Sequence, residues 1–135
     1  MKRFIVITTI FEPTEGVRLF SKLDNHQVIV VADKKSKRSW DCDGAIYLSV
    51  KQQQQIGKHL KKKLPFNHYS RKMMGYLKAM QLGANIIIDV DDDNIPKADW
   101  GFPALDGIFP FVPGEKGFIN IYQYLYHLLN KKIMR

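Results

Sequence analysis

Cysteine and long apolar runs are scarce in this sequence, and both shortages argue against a disulfide-bonded, secreted or membrane-spanning protein. The single cysteine, Cys42, has no second cysteine with which to form an intramolecular disulfide, so we expect a reducing compartment and a cytoplasmic protein. The apolar run FIVITTIF near the amino terminus has eight residues and no small-residue cleavage site after it, which favours a first strand over a secretory signal. No run reaches the ~20 apolar residues of a membrane-spanning helix.

Acidic residues are also in short supply. Thirteen Asp and Glu face 21 Lys and Arg, which gives a formal net charge of +8. Such an excess favours an anionic partner, but it does not choose between nucleic acid, a membrane surface and a phosphorylated small molecule. A hydrophobic content of 45% is ordinary for a folded chain. We expect one domain over residues 1–135, and the sequence leaves open whether it forms an oligomer.

Apolar runs alternate with helical patterns along the chain. The runs at 4–10, 27–32, 45–48 and 85–90 are typical of buried parallel strands. The helical patterns predict a first helix that starts after Thr14 and ends near Leu23, a second from Ser49 to Pro65, and a third over 68–82. An irregular region over 95–117 and a last helix over 119–132 follow. The predicted fold is α/β and Rossmann-like, with a mostly parallel sheet and helices on both faces.

Two surfaces of the predicted helices are assigned from this pattern. Tyr69, Met73, Leu77 and Met80 fall on one stripe of the third helix, which we interpret as core packing. The four glutamines at 52–55 are interpreted as an ordinary helix surface.

Polar residues follow three of the predicted strands. Thr8 and Thr9 end the first strand, Asp33 follows the second, and Asp91, Asp92 and Asp93 follow the fourth. Ligands of parallel α/β sheets bind at the carboxyl ends of the strands. The sequence therefore predicts that these residues share one site.

The acidic cluster after the fourth strand needs compensation. Asp89 and Asp91–Asp93 put four carboxylates in five positions, and two such charges ~4 Å apart repel by ~1 kcal/mol in water or ~4 kcal/mol at an effective dielectric constant near 20. The cluster could spread into solvent, take up protons or bind Mg²⁺ or Mn²⁺, which prefer oxygen ligands. If the backbone stays extended, Asp91 and Asp93 lie on the same side.

The acidic cluster also resembles two other kinds of site. An EF-hand calcium loop fails because Asn94 replaces its turn glycine and Trp100 its bidentate glutamate. A phosphatase of the haloacid dehalogenase type also places Asp-x-Asp after an apolar strand, as in Asp89-Val90-Asp91, but at the start of its fold. The phosphatase interpretation is therefore less favoured than a solvated acidic turn or a metal-bridged diphosphate.

The third helix begins with Arg71 and Lys72, cations that suit the diphosphate interpretation. Gly75 lies one turn after Arg71 on the same face, and a glycine inside a helix costs ~1 kcal/mol relative to alanine. Either tight helix packing or close approach of another group explains such a residue.

The stretch YSRKMMGYLKAMQLGANIIIDVDDDN resembles the STELLO-type glycosyltransferase family, in which an Arg-Lys-x-x-Gly-Tyr helix leads into an acidic strand end. It is also similar to the reversibly glycosylated polypeptides, or UDP-arabinopyranose mutases, which pair an Arg-x-x-Gly-Tyr-Leu helix with a triple aspartate. The resemblance to the STELLO type covers roughly residues 4–95, including QVIVVADKKSKRSW and AIYLSVKQQQQIG.

The resemblance implies a GT-A fold, a nucleoside-diphosphate sugar donor, with UDP favoured, and Mn²⁺ or Mg²⁺. By that resemblance the metal ligands are Asp91 and Asp93. The donor-binding residues are Thr8, Thr9, Asp33, Arg71, Lys72, Asp91 and Asp92, with Arg71 facing the diphosphate and Asp33 near the base.

The chain departs from the family after the acidic motif. GT-A enzymes continue for roughly a hundred residues that build the acceptor side, whereas residues 96–135 predict only a shortened loop and helix. The catalytic base is therefore not assigned, with Asp99, Asp106 and Glu115 as the later carboxylates, and the acceptor is unknown.

Three functions remain in view. The first is transfer of a sugar from a nucleotide donor, and the second is donor binding by a module that lacks turnover. The third, a basic nucleic-acid-binding domain, is disfavoured because Tyr122, Tyr124 and Tyr126 would diverge on a helix instead of forming one stacking face.

Overall fold

A computed structural model describes residues 1–57, 59–60 and 63–108. They fall into two units, Met1–Trp100 and the part of Gly101–Arg135 up to residue 108. The first unit contains every strand and helix given below. The helix predicted over 119–132, with Tyr122, Tyr124 and Tyr126, lies outside the described residues, as does Glu115. The single domain expected over 1–135 stays a prediction.

Four parallel strands form the sheet. They are β1 (Arg3–Thr9), β2 (Gln27–Ala32), β3 (Ala45–Leu48) and β4 (Ile86–Asp89). Their spatial order is β3-β2-β1-β4, so the two strands after β1 lie on one side of it and β4 on the other. This is the order of the first four strands of a Rossmann fold, whose ligands bind where the order reverses, between β1 and β4 here. The α/β, parallel-sheet prediction is confirmed.

Both faces of the sheet are buried, because the central strands carry apolar side chains at most positions. One face packs Phe4, Val6, Ile29 and Val31 with Met74 and Ala79 of the helix before β4. The alternate residues of the same strands, Ile5, Ile7, Val28 and Val30, are also buried, as are Val17 and Phe20 of the first helix. Helices therefore cover both faces, as predicted.

The helices begin where the sequence indicated. Helix α1 is Glu15–Lys22, capped by Thr14, whose hydroxyl accepts the Val17 amide. Helix α2 is Val50–Ile56, with a complete capping box between Ser49 and Gln52. A single 3₁₀ turn, Tyr69–Arg71, leads into helix α3, Lys72–Gln81. In the described residues, no helix is long and apolar enough to cross a membrane.

Helix α2 is shorter than predicted. It ends at Ile56 with Gly57 as its C-cap, so Pro65 does not end it and Leu60 lies beyond it. Gly57 packs so closely against α3 that an added Cβ would lie 2.8 Å from Cε of Met74. Helix α2 therefore ends at the point where it contacts α3.

The interpretation of the α3 stripe as core is wrong. Tyr69, Met73 and Met80 are exposed, whereas Lys72, Met74, Gly75 and Ala79 are buried. The reason is Gly75, where a Cβ would come within 2.4 Å of Val6 and 2.6 Å of Val31. Because the helix face that lacks a side chain approaches the sheet most closely, the methionine stripe turns away from it. Tight packing against the sheet also accounts for a glycine inside this helix.

Candidate functional site

A cavity of about 340 Å³ opens at the carboxyl end of the sheet. Its walls come from the ends of β1 and β2, the segment before α3 and the turn after β4. Its lining residues are Thr8, Thr9, Ile10, Phe11, Val31, Asp33, Lys35, Asn67, His68, Tyr69, Arg71 and Asp92. Five of the predicted site residues, Thr8, Thr9, Asp33, Arg71 and Asp92, thus line one cavity. The other three, Lys72, Asp91 and Asp93, do not line it.

The acidic segment turns as soon as β4 ends. The Asn94 amide donates to the Asp91 carbonyl oxygen at 3.2 Å, so the backbone is not extended and the alternation argument for Asp91 and Asp93 does not apply. The Thr9 hydroxyl donates to Oδ2 of Asp92 at 2.5 Å, and the Thr14 hydroxyl donates to the Asp92 carbonyl oxygen. Asp92, and not its neighbours, is therefore fixed against the cavity.

Helix α1 leaves room for this turn at Gly16. A Cβ on Gly16 would lie 2.2 Å from the Asn94 carbonyl oxygen and 3.2 Å from that of Asp92. The absent side chain and the Thr14 hydroxyl, both at the start of α1, together set the position of the acidic turn.

Lys72 supplies the positive charge that the acidic cluster needs. Its ammonium forms ion pairs with Asp89 and, at 2.9 Å, with Oδ1 of Asp91, and it donates to the Val90 carbonyl oxygen at 3.3 Å. Burial of the side chain, which is 9% exposed, lowers the pKa of Lys72, but the hydrogen bonds to Asp89 and Asp91 outweigh burial and raise it. Lys72 is thus a charged group within the acidic cluster.

Tyr76 adds a second donor to this cluster. Its hydroxyl hydrogen-bonds to Oδ2 of Asp89, the carboxylate that also holds Lys72. Burial, reinforced by the hydrogen bond to Asp89 and the charges of Asp89 and Asp91, raises the pKa of Tyr76 from 10.0 to about 12. Asp89 is therefore committed to structural contacts.

The remaining carboxylates fit one mode of divalent cation binding. The side chain of Asp91 is 61% exposed despite its ion pair, and Asp93 is exposed. Within the described ranges, no three His, Cys, Asp or Glu residues are grouped to hold a metal by themselves. Mg²⁺, however, is commonly held by one or two carboxylates together with phosphate oxygens of a substrate. Asp91 and Asp93 could hold Mg²⁺ or Mn²⁺ in that way, with the ligand completing the coordination.

Asp33 joins the second strand to the segment before α3. Its carboxylate accepts the Asn67 amide at 2.7 Å and the Lys34 amide at 2.6 Å. Its own amide donates to the hydroxyl of Ser36, which in turn donates to the Thr9 carbonyl oxygen at 2.8 Å. These bonds fix the end of β2 beside the end of β1, as the sequence predicted for Asp33 and Thr9.

Arg71 is almost fully buried, at 2% exposure. Its guanidinium carbon lies 4.4 Å from the centre of the Phe66 ring, Nη1 donates to the Leu64 carbonyl oxygen at 3.4 Å, and Nη2 donates to Oε1 of Gln53. Burial lowers the pKa of Arg71 and the charge of Asp33 opposes that change. The guanidinium is held inside the wall of the cavity, not on a mobile side chain.

Sequence reasoning missed Gln53 and the start of α1. Gln53 is fully buried, so the interpretation of all four glutamines as helix surface is wrong. A signal was present, because Gln53 precedes Ile56 by three residues and so shares its helix face. The local sequence did not indicate the role of Gly16 or the contact between Thr14 and Asp92, because these residues meet a segment about 78 residues farther along the chain.

The comparisons with known proteins agree with the resemblance read from the sequence. No family model matches the chain. The chain is 33% identical over 91 residues to two proteins of Arabidopsis thaliana, Probable glycosyltransferase STELLO2 and Probable glycosyltransferase STELLO1. In each case the match covers 67% of this chain and 12% of the relative. Because one residue in three is shared over two thirds of its length, the chain is related to the STELLO-type probable glycosyltransferases.

Proposed function

We propose that this chain binds a nucleoside-diphosphate sugar, with a UDP-sugar favoured, and forms the donor side of a glycosyltransferase. The observation that carries the proposal is the meeting of Thr9, Asp33, Arg71 and Asp92 from four separate segments in one cavity. Its volume of about 340 Å³ lies within the ~300–1,000 Å³ of small-molecule sites. The relationship to probable glycosyltransferases supports a sugar-transfer role.

Charge explains why a metal belongs in this proposal. The lining contains two cationic side chains, Lys35 and Arg71, and two anionic ones, Asp33 and Asp92, so their formal charges cancel. A diphosphate would add negative charge that this lining does not balance. Mn²⁺ or Mg²⁺ at Asp91 and Asp93 would supply that balance and stabilise the departing nucleoside diphosphate.

Apart from the metal ligands, several residues would each have a separate role in binding the donor. Arg71 offers a fixed cation toward the diphosphate, and its rigid mounting means that little reorganisation is needed when charge develops. Thr9 holds Asp92 against the cavity, and Asp33 with Thr8 would face the nucleoside. Lys72 keeps the acidic turn folded by pairing with Asp91, and its contact with the donor stays a prediction.

Donor binding without turnover is the second candidate. The hydrogen bonds of the two carboxylates in the cavity wall favour it. Asp33 accepts hydrogen bonds from two backbone amides, and Asp92 accepts one from the Thr9 hydroxyl. Neither is positioned as a base by these contacts. Release of free sugar from UDP-sugars in the presence of Mn²⁺ separates the two, since a binding module releases none.

The first test is a thermal-shift panel of UDP, GDP, ADP and CDP with and without Mn²⁺. A ligand at 100 times its dissociation constant stabilises the folded state by ~2.7 kcal/mol, so UDP with Mn²⁺ should raise Tm clearly and UDP alone much less. Asp93→Asn should remove the part of the shift that depends on Mn²⁺. Asp43→Asn, an exposed carboxylate just before the amino end of β3, is the matched control and should leave it unchanged.

Two outcomes count against the proposal. If no nucleoside diphosphate raises Tm with or without Mn²⁺, the cavity is not a donor site. If Asp93→Asn and Asp43→Asn behave alike, Asp93 is not a metal ligand.

A further inference from the structure

Gln53 connects three parts of the fold from a fully buried position. It lies on the inner face of α2, at 0% exposure. Its side-chain NH₂ donates to the Ala32 carbonyl oxygen at 2.7 Å and to the Leu48 carbonyl oxygen at 2.8 Å. These two carbonyls end β2 and β3, so the side chain ties α2 to the edge of the sheet that carries the cavity.

The orientation of the Gln53 amide follows from chemistry. Backbone carbonyl oxygens only accept hydrogen bonds, so the NH₂ group must face Ala32 and Leu48. The amide oxygen then has one direction left, and there it accepts Nη2 of Arg71. If the amide were flipped, its oxygen would face the carbonyl oxygens of Ala32 and Leu48, and its NH₂ group would face the guanidinium of Arg71, which is also a donor. The amide therefore presents a fixed acceptor to the guanidinium.

Among residues 1–57, 59–60 and 63–108, the Arg71 guanidinium makes its direct contacts with neutral groups. They are the Gln53 amide, the Leu64 carbonyl oxygen and the Phe66 ring. Within the described part of the chain, Arg71 forms no ion pair, unlike Lys72, which forms two. A buried cation held in this way keeps its charge available to a ligand, because no carboxylate pairs with it directly and Asp33 acts on it only from a distance.

We propose that Gln53 is the positioning residue for Arg71, and that its neutrality makes the cavity prefer a phosphate-bearing ligand over the corresponding neutral nucleoside. A glutamate would neutralise the guanidinium, although its second oxygen would face the Ala32 and Leu48 carbonyl oxygens with no hydrogen to donate. The second part of this proposal rests on the proposed function, because it concerns how the cavity chooses its ligand. The first part rests only on the contacts of Gln53.

The ligand test compares UDP with uridine by calorimetry, with Mn²⁺ present. Gln53→Glu should lower the affinity for UDP about tenfold or more, because the new carboxylate competes with the diphosphate for Arg71, and should leave uridine nearly unchanged. Gln54→Glu makes the same change of charge at an exposed neighbour and should alter neither. Urea unfolding checks that Gln53→Glu is still folded. In the folded variant, equal losses of UDP and uridine, or equal effects of the two variants, would overturn the preference.

A second measurement uses the wild-type protein and does not depend on any nucleotide. At low temperature, NMR of the arginine side chains should show separate, slowly exchanging Nη signals for Arg71, assigned by their loss in Arg71→Lys. Gln53→Leu should merge them by freeing rotation of the guanidinium. Averaged Nη signals in the wild type would overturn Gln53 as the positioning residue.

The two measurements separate the proposals. A wild-type protein that binds no nucleoside diphosphate would overturn the ligand preference together with the proposed function. Separate Nη signals in that same protein that merge in Gln53→Leu would still support the positioning of Arg71 by Gln53.

Discussion

At the scale of single residues, the acidic cluster shows how charge is balanced inside the molecule. The repulsion among four carboxylates in five positions could be relieved by solvent, by protonation or by a cation. Lys72 provides part of that positive charge. Its ammonium takes Asp89 and one oxygen of Asp91. This leaves Asp93, the exposed part of Asp91 and the inward-facing Asp92 for a ligand, so the site carries less excess negative charge than the sequence suggested.

The Lys72–Asp89–Tyr76 cluster should make the fold sensitive to alkaline pH. The pKa of Lys72 is raised in the folded state, and that of Tyr76 is raised from 10.0 to about 12. Both groups therefore hold their protons more tightly when folded. Their contribution to stability is complete below a pH of about 10 and is lost as the pH rises through the folded-state values.

Tyr76→Phe tests this sensitivity by urea unfolding at pH 8 and pH 11. At pH 8 the variant should lose ~0.5–1.5 kcal/mol with the hydrogen bond to Asp89, and its free energy of unfolding should fall less than that of the wild type between the two pH values. Tyr69→Phe, which alters an exposed hydroxyl, should follow the wild type. Parallel losses in all three proteins would show that Tyr76 does not couple to pH.

At the scale of elements, the approach of α3 to the sheet determines what the site contains. Gly75 allows the helix to rest on Val6 and Val31, and this brings Lys72 to the acidic cluster and Arg71 to the cavity wall. A helix held farther out would expose both cations. The burial of Arg71 therefore depends on a residue that carries no side chain.

Gly75→Ala should destabilise the fold even though alanine is the better helix former. Overpacking of a buried contact costs ~1–3 kcal/mol, against a gain of ~1 kcal/mol in helix propensity, so we expect a net loss of up to ~2 kcal/mol. Gln81→Ala, at an exposed position of the same helix, is the control and should cause no loss. Increased stability of Gly75→Ala in urea would contradict the close packing of α3.

At the scale of the whole molecule, the net charge of +8 is compatible with two kinds of anionic ligand, nucleic acid and a nucleotide. Nucleic acid binding by 6–10 phosphate contacts weakens by ~10³–10⁵ between 50 and 200 mM salt. A nucleotide held by one metal and a buried arginine makes few charge contacts, and the contact with Arg71 is buried, so its binding is screened far less.

Fluorescence titrations at these two salt concentrations should therefore separate the functions. UDP with Mn²⁺ should lose less than about tenfold in affinity, whereas a labelled oligonucleotide should bind weakly at 50 mM and not measurably at 200 mM. Uridine serves as the uncharged control. An oligonucleotide that binds at 200 mM salt more tightly than UDP with Mn²⁺ would favour a nucleic-acid-binding domain.

The sequence by itself determined the sheet, the starts of the helices and the edge at which the site lies. Strands such as 27–32 are apolar at nearly every position, and burial on both faces is the only arrangement that removes them from water. Caps such as Thr14 and Ser49 act on amides three residues away, so their effect is visible in local sequence. The carboxyl ends of parallel strands meet at one edge, which brought Thr9, Asp33 and Asp92 together.

Only the tertiary structure decided which partner each polar side chain has. Thr9 and Asp92 are 83 residues apart, Gln53 and Arg71 are 18 apart, and the spacing of residues carries no information about such pairs. Lys72 and Arg71 are adjacent cations in the sequence, yet one neutralises carboxylates and the other faces a cavity through neutral contacts. The charge available to a ligand depends on distance through space, and the packing of α3 on the sheet sets that distance.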